Sequence, residues 1–435
     1  MARCGVARRL VHPSWCVDGF VLCSQVTLSQ IPSKNNYTKH HHPKHHHPKQ
    51  LYVAGKVSSK ICKAHVWTTI AMDRPLRLGM DFAGVGMVAM ALRHLVTRVE
   101  VRFVSELSSH CQTFLREHFQ PRQVSGDILD RNDEETSSVD VLLCTPPCQD
   151  FSSENSEGVG PHCKRGRLMF QSVRWVRRRR PRCRPRVIFF ENVKGLLSKS
   201  SRRGGRKMVK RVTKLLRACG YEVHWKLMSA SHHGLPQTRQ RAIGVALLRE
   251  KLVRNFTWPA PCSLAYSVTD LQDAPQSSER PWTSPKMSTA AGKARVRILI
   301  RKALRESAGK QRRSHSKPAF LAVDIDCSVR FQRWSAGPSL FCVTASRGRS
   351  GGPYLAHRGR RMSRRELSWC MGIDIDSYRA SMSPNQWGHA VGNGTPLCLT
   401  ERVLAQALMA VGILSPNAYF DRWEEGEVLP QWGLE

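Results

Sequence analysis

The chain has 435 residues, 41% of them hydrophobic, enough to bury a sizeable core and too many for a wholly disordered polymer. Lys and Arg number 69 against 33 Asp and Glu, a formal charge of +36, which suits a polyanionic partner or, more plainly, basic solvated faces and tails. No apolar run reaches the roughly 18 residues of a membrane-spanning helix, and the 15 cysteines lack paired Cys-x-x-Cys spacing, so the expectation is a soluble protein with free thiols in a reducing compartment, with no metal site.

In chain order, residues 1–72 show no periodicity and include the tract "YTKHHHPKHHHPKQ" from Tyr37 to Gln50. They read as a basic, His-rich, low-complexity segment. From Asp73 strands and helices alternate. "LRLGMDFAGVGMVAMALRHL" is a strand, a Gly-containing turn and an amphipathic helix, and "VEVRFVSEL" is a strand ending in an acid. "SSHCQTFLREHF" is helical, and "VDVLLC" and "RVIFFENV" are buried strands. A helix with Met208, Val212, Leu215, Leu216 and Cys219 on one face stops at Gly220 and leads into another strand. Such alternation predicts an α/β fold with a doubly wound, mostly parallel sheet and helices on both faces over residues 73–258. Residues 259–360 read as a separate basic, loop-rich lobe, 361–414 as a return to the first domain, and 415–435 as a C-terminal tail.

Three acids fall where such a sheet presents its ligand face. "DFAGVG" at Asp81 to Gly86 follows a strand and opens a helix, the setting in which glycines let backbone approach a nucleotide-like ligand. Glu106 ends the next strand, where a carboxylate can accept two ribose hydroxyls, and Asp127 follows the third. Cys148 in "TPPCQDFS" ends a strand on that same face. A thiolate there could attack an electrophilic carbon; a packed, inert cysteine is the equal alternative on position alone. The next strand delivers Glu191, and "GLPQTRQRAIGVAL" sets Gln237, Arg239 and Arg241 at alternate positions entering a strand. Two arginines there need carboxylate, phosphate or carbonyl partners, one of them satisfied by a structural ion pair and the other free to clamp substrate.

The ordered set "DFAGVG", "SE", "GDI", "TPPCQDFS", "ENV", "QTRQR" and "GNGTP" closely resembles the cytosine-C5 DNA methyltransferase family, from Arg77 to about Leu414. The resemblance implies a class I, Rossmann-like, S-adenosyl-L-methionine-dependent enzyme that methylates C5 of a flipped-out cytosine. It implies that Cys148 adds to C6, that Glu191 holds and protonates N3, that Arg241 binds the base carbonyl, and that Arg239 braces the loop. Phe82, Gly84, Gly86, Glu106, Asp127, Pro147, Leu168 and Asn393 would line the cofactor pocket, and 259–360 would be the target-recognition lobe. The partner implied is DNA, acted on by a monomer without a membrane, in the nucleus if the source is eukaryotic.

The sequence departs from the family pattern at Thr145, where Gly or Ala is usual, at Asp150, where Pro is commoner, and at Trp369 and Met371. From Lys164 to Arg211 there are nineteen Lys or Arg and one acid, Glu191. That run reads equally as a track for a DNA backbone, a nuclear import signal or a solvated helix face. Two alternatives stand beside the DNA enzyme. One is a tRNA cytosine-C5 methyltransferase of the same fold, against which Gln237 and the size of the lobe weigh. The other is a catalytically silent nucleic-acid-binding relative.

Overall fold

Short apolar, β-branched runs ended by Asp, Ser or Cys form the strands of the first domain, and the amphipathic stretches between them form its helices. The computed structural model describes residues 74–151, 167–198, 204–310, 317–378 and 381–429, without the side chains of 150, 309 and 310. All of these lie in one compact unit, His65–Glu435. The segment 1–72 with its His-rich tract, residues 152–166 and the Asp150 side chain fall outside the described residues.

The first part of the chain runs β1 (Leu76–Asp81), α1 (Met87–Leu95), β2 (Val99–Ser105), α2 (Ser109–Phe119), β3 (Gln123–Ser125) and β4 (Val141–Cys144). It continues with α3 (Met169–Arg178), β5 (Val187–Val193), α4 (Gly205–Arg217), β6 (Tyr221–Ser229), β7 (Gln237–Thr238) and β8 (Gln240–Leu248). The lobe holds α5 (Ala290–Lys310), β9 (Ala322–Val323), β10 (Trp334–Ser335), β11 (Leu340–Phe341), α6 (Ala345–Arg349), β12 (Tyr354–Leu355) and β13 (Arg360–Arg361). Helices α7 (Arg364–Trp369), α8 (Pro384–Asn393) and α9 (Leu397–Ala410) follow the lobe.

Seven strands form one sheet in the order β3-β2-β1-β4-β5-β8-β6. The strands from β3 to β5 are parallel, and β8 runs antiparallel to both β5 and β6. The mostly parallel doubly wound sheet is therefore present, with one strand reversed. Its central strands β4 and β5 are buried on both faces, as parallel sheets require. Val141, Leu143, Val187 and Phe189 pack into the cluster that contains α1 and α9; Leu142, Cys144, Ile188 and Phe190 pack into the one under α3 and α4. Each such side chain contributes roughly 1.5–3 kcal/mol on burial.

The lobe is more regular than its sequence suggests. Val296, Leu299, Ile300 and Ala303 of α5 pack with Leu321, Val323, Ile325 and Tyr354 into a core of the lobe's own. The 21-residue helix α5 is masked in the sequence because Arg297, Arg301, Lys302 and Arg305 are interleaved with the stripe and Ile298 is exposed. A small sheet, β10-β9-β12-β13, lies beside it. Strand β11 leaves that sheet and pairs in parallel with β7, so Leu340 and Phe341 face Gln237 and Thr238. Beside the cleft α6 crosses α8 with backbones touching. A Cβ at Gly348 would lie 1.9 Å from the Gly388 carbonyl oxygen, and one at Gly388 would lie 2.1 Å from that of Gly348.

Residues 415–429 are not a loose tail. Trp423 is fully buried, and Arg402 of α9 pairs with Asp421 at 2.7 Å and Glu424 at 3.2 Å. A buried arginine needs such partners, and the C-terminal segment supplies them.

Candidate active site

The turn after β1 is held in a conformation that few residues adopt. Phe82, Gly84 and Gly86 all have positive φ, at 61°, 56° and 76°. A phenylalanine there stores strain of the kind that gathers at functional sites. Its amide donates to the Ser105 carbonyl at 2.7 Å, and its own carbonyl accepts from the Thr145 hydroxyl at 2.9 Å. Thr145, the unusual residue before the Pro-Cys turn, thereby ties that turn to the Phe82 backbone.

Gly84 has open space where a Cβ would stand. Its amide donates to Glu106 Oε2 at 2.7 Å, while Glu106 Oε1 accepts from the Ser108 amide at 2.8 Å. The Glu106 carboxylate is thus fixed beside the turn, with lone pairs to spare for hydroxyl donors. Asp127 Oδ1 caps its own turn through the Leu129 amide at 2.9 Å. Phe82, Gly84, Glu106, Asp127, Pro147, Leu168 and Asn393 all line one cleft of about 2030 Å³. Gly86 does not. It is the N-cap of α1, and a Cβ there would meet Phe119 at 2.9 Å, so its glycine serves the approach of α2. Open backbone, a fixed carboxylate and a second acid at a strand end fit S-adenosylmethionine, the group the sequence resemblance implies.

Beneath this turn lies an ion pair that sequence reading missed. Asp81, the last residue of β1, is fully buried, bonded to Arg131 and accepting from the Ser172 hydroxyl at 2.6 Å. Burial pushes its carboxyl upward against the pull of Arg131 and Ser172. The Arg131 guanidinium lies over the Phe103 ring at 5.1 Å. The brace joins β1, the segment after "GDI" and α3. Its members are scattered, and "GDILDRND" gives only a faint signal for Arg131.

The Pro-Cys turn sits at the carboxyl end of β4. The Asn192 side-chain amide donates to the Pro146 carbonyl at 3.1 Å, and the Phe151 amide donates to the Cys148 carbonyl at 3.0 Å, closing a single helical turn behind the cysteine. Cys148 lines the same cleft, half-buried. Burial raises its thiol, Glu191 raises it further, and Arg241 and Arg239 oppose both. The resting group is therefore a thiol.

Glu191, five residues into β5, is buried and 2.8 Å from Arg241 Nε on β8. Burial pushes its carboxyl upward, and Arg241, Arg239 and a hydrogen bond with Thr395 pull it back. A carboxyl raised this way holds a proton more readily than a free one and can deliver it. The arginines divide their work. Arg239 is fully buried and donates to the carbonyls of Val343 at 2.7 Å, Gly392 at 2.8 Å and Gly394 at 2.7 Å. Without a carboxylate of its own, it is lowered by burial to about 10. Gln237 spans the same seam, donating to the Cys370 carbonyl at 2.7 Å and accepting from the Val343 amide at 3.2 Å. Arg241 lines the cleft with Cys148 and Glu191; Arg239 stands behind it. The cleft is thus lined by a thiol, a protonatable carboxyl, a guanidinium and the strained glycine turn. Such a set can add a thiolate to an electron-poor ring while placing a proton on a ring nitrogen.

A family model described as C-5 cytosine-specific DNA methylase matches residues 80–408. The type II methyltransferase M.DsaV of Dactylococcopsis salina is 32% identical over 192 residues, 44% of this chain and 51% of that protein. M.HhaI of Haemophilus parahaemolyticus is 30% identical over 190 residues, 44% of this chain and 54% of that protein. The matched stretch spans about half the length of these relatives. Among solved structures, a DNA modification methyltransferase encoded within an E. coli prophage superposes with a TM-score of 0.51 at 20% identity, covering 78% of this chain and 99% of the other. The Entamoeba histolytica methyltransferase EhMeth gives 0.51 at 13% identity, covering 77% and 98%. These two share the fold. With the model match running through both the glycine turn and the Cys148 turn, the chain belongs to the C-5 cytosine-specific DNA methylase family.

Proposed function

We propose that this protein is a DNA (cytosine-5-)-methyltransferase. The observation that carries the reading is the convergence of Cys148, Glu191 and Arg241 on the cleft that the Phe82–Gly86 turn also lines. Phe82, Gly84, Glu106, Asp127, Pro147, Leu168 and Asn393 would hold S-adenosylmethionine there, which supplies an electrophilic methyl group when bound.

Cys148 gives up its proton to solvent as the base enters, and its Sγ adds as the thiolate to C6 of the cytosine. Glu191 hydrogen-bonds N3 and transfers its proton to it, so the electron pair of the C5–C6 double bond becomes available at C5. Arg241 holds the ring carbonyl and keeps Glu191 oriented, while Arg239 fixes the strand entry that carries Arg241. After methylation the C5 proton passes to solvent, its C–H electron pair re-forms the C5–C6 double bond, Sγ leaves C6 as the thiolate, and N3 returns its proton to Glu191, restoring the aromatic ring. Because C6 is shielded in a stacked duplex, the target base leaves the helix, which costs roughly a few kcal/mol. Residues 259–360, with a core of their own, serve as the target-recognition lobe. We place the protein's action on DNA as a monomer, in the nucleus if its source is eukaryotic. Among the described residues no helix is long and apolar enough to cross a membrane.

The test is transfer of tritium from labelled S-adenosylmethionine to duplex DNA and, in parallel, to tRNA, with Cys148→Ala as control. Label in DNA that disappears in the variant is the expected result. Label in tRNA alone overturns the DNA reading, and label in neither overturns the enzyme reading.

A further inference from the structure

Helices α3 and α4 lie together on one face of the sheet, burying Met169, Val173 and Val176, and Met208, Val212 and Leu216, in one core cluster. Arg211 stacks over the Phe170 ring at 4.9 Å and joins them. Their outward faces carry no acid. Arg206, Lys207, Lys210, Arg211, Lys214 and Arg217 of α4 are all exposed, as are Arg174, Arg177 and Arg178 of α3. Of these cations only Arg178 has a carboxylate partner among the described residues, Asp133 at 3.6 Å. Lys207 with Arg211, and Lys210 with Lys214, are like charges four apart on a helix, a spacing that destabilises it. A merely solvated face usually relieves such rows with intervening acids.

Both helices start at the cleft. Leu168, the N-cap of α3, lines it. Gly205 opens α4 against the segment that lines it: a Cβ there would stand 2.6 Å from the Leu196 carbonyl oxygen and 3.0 Å from that of Gly195, and Lys194 and Gly195 are cleft residues. From that point the 13 residues of α4 rise about 20 Å, the length of roughly six base pairs of duplex at about 3.4 Å each.

We propose that the α3–α4 face is a second phosphate-binding surface, which grips duplex DNA flanking the target outside the catalytic cleft. The proposal rests on the DNA reading given above. Contacts of this kind position a duplex without reading its sequence.

The test neutralises the distal turns of α4 in Lys210→Gln/Lys214→Gln/Arg217→Gln and measures binding against salt, on a hairpin of about 8 base pairs and on a duplex of about 40 carrying the same target. On the long duplex the log–log salt slope should fall by about 2.7 for three lost phosphate contacts, so that wild type loses roughly 40-fold more affinity than the variant between about 50 and 200 mM salt. Affinity for the short hairpin and turnover on it should be unchanged. The melting temperature should hold or rise, since only like charges are removed. Equal slopes on the long duplex, or equal losses on both lengths, overturn the proposal. A structured RNA that loses more affinity than the duplex overturns DNA as the occupant. Length-dependent binding that wild type shows without methylating any DNA leaves the surface standing and removes the enzyme reading instead.

Discussion

Arg241 Nε reaches Glu191 Oε1 at 2.8 Å although the two residues are diagonal in the β5–β8 register, where Glu191 faces Ile243 and Arg241 faces Val193. The arginine keeps the carboxylate form of Glu191 accessible; burial keeps the acid form accessible. The two influences leave Glu191 able to exchange a proton, which a fully neutralised or fully ionised carboxyl would not be.

A pH profile follows. Both Glu191 and Cys148 are displaced upward, and the productive state pairs a thiolate with a protonated carboxyl. Its population is flat between the two titrations, falls below the lower and falls above the higher, so kcat/KM should be bell-shaped, with Cys148 on the alkaline side. In Glu191→Gln only the thiol titrates. Turnover should drop about 10²-fold or more, and the alkaline fall should vanish, leaving a single rise through the Cys148 range. An alkaline fall that persists would remove Glu191 as the acid.

Cys148→Ser should lose roughly 10⁴-fold or more in kcat while changing stability by less than about 1 kcal/mol, because the side chain is only partly buried and the turn is held by Asn192 and Phe151. Single-turnover transfer and urea unfolding on the same preparation separate the two effects.

The two arginines should separate cleanly. Arg239→Met leaves the carbonyls of Val343, Gly392 and Gly394 without their donor and should cost about 3 kcal/mol or more in urea unfolding. Arg241→Met leaves Glu191 free to take up a proton. It should cost under about 1.5 kcal/mol, with the loss appearing in kcat/KM instead.

The brace below the glycine turn gives a double-mutant test. Arg131→Met strands the buried Asp81 carboxylate and should cost about 3–5 kcal/mol. Adding Asp81→Asn removes the stranded charge and should recover more than half of that. Additive losses would mean that the two side chains do not act as a pair.

The sheet was legible because its strands are short apolar runs with chemically distinct residues near their carboxyl ends: Asp81, Glu106 and Cys148 stand at or beyond strand ends, and Glu191 two residues before the end of β5. The meeting of Cys148, Glu191 and Arg241 in one cleft is a consequence of that order. What escaped was long-range or counter-patterned. Asp81, Arg131 and Ser172 are dispersed along the chain, so no window contains their ion pair. The stripe of α5 is diluted by arginine, and the division of labour between Arg239 and Arg241 depends on the carbonyls of Gly392 and Gly394, which sequence does not bring near. Gly86 offered the reverse lesson. It shares the motif of Gly84 but meets Phe119 rather than the cleft.

The crossing of α6 and α8 is a close backbone joint between the lobe and the segment that follows it. At Gly348 and Gly388 there is no side chain to slide, re-rotamerise or yield, because each backbone lies against the other's carbonyl. A joint of that kind transmits displacement without slack. A shift of α6 is therefore carried directly into α8, whose last residue, Asn393, lines the cleft. The lobe proposed to recognise the target and the cleft proposed to hold the methyl donor are in this sense one mechanical element, sharing two glycines.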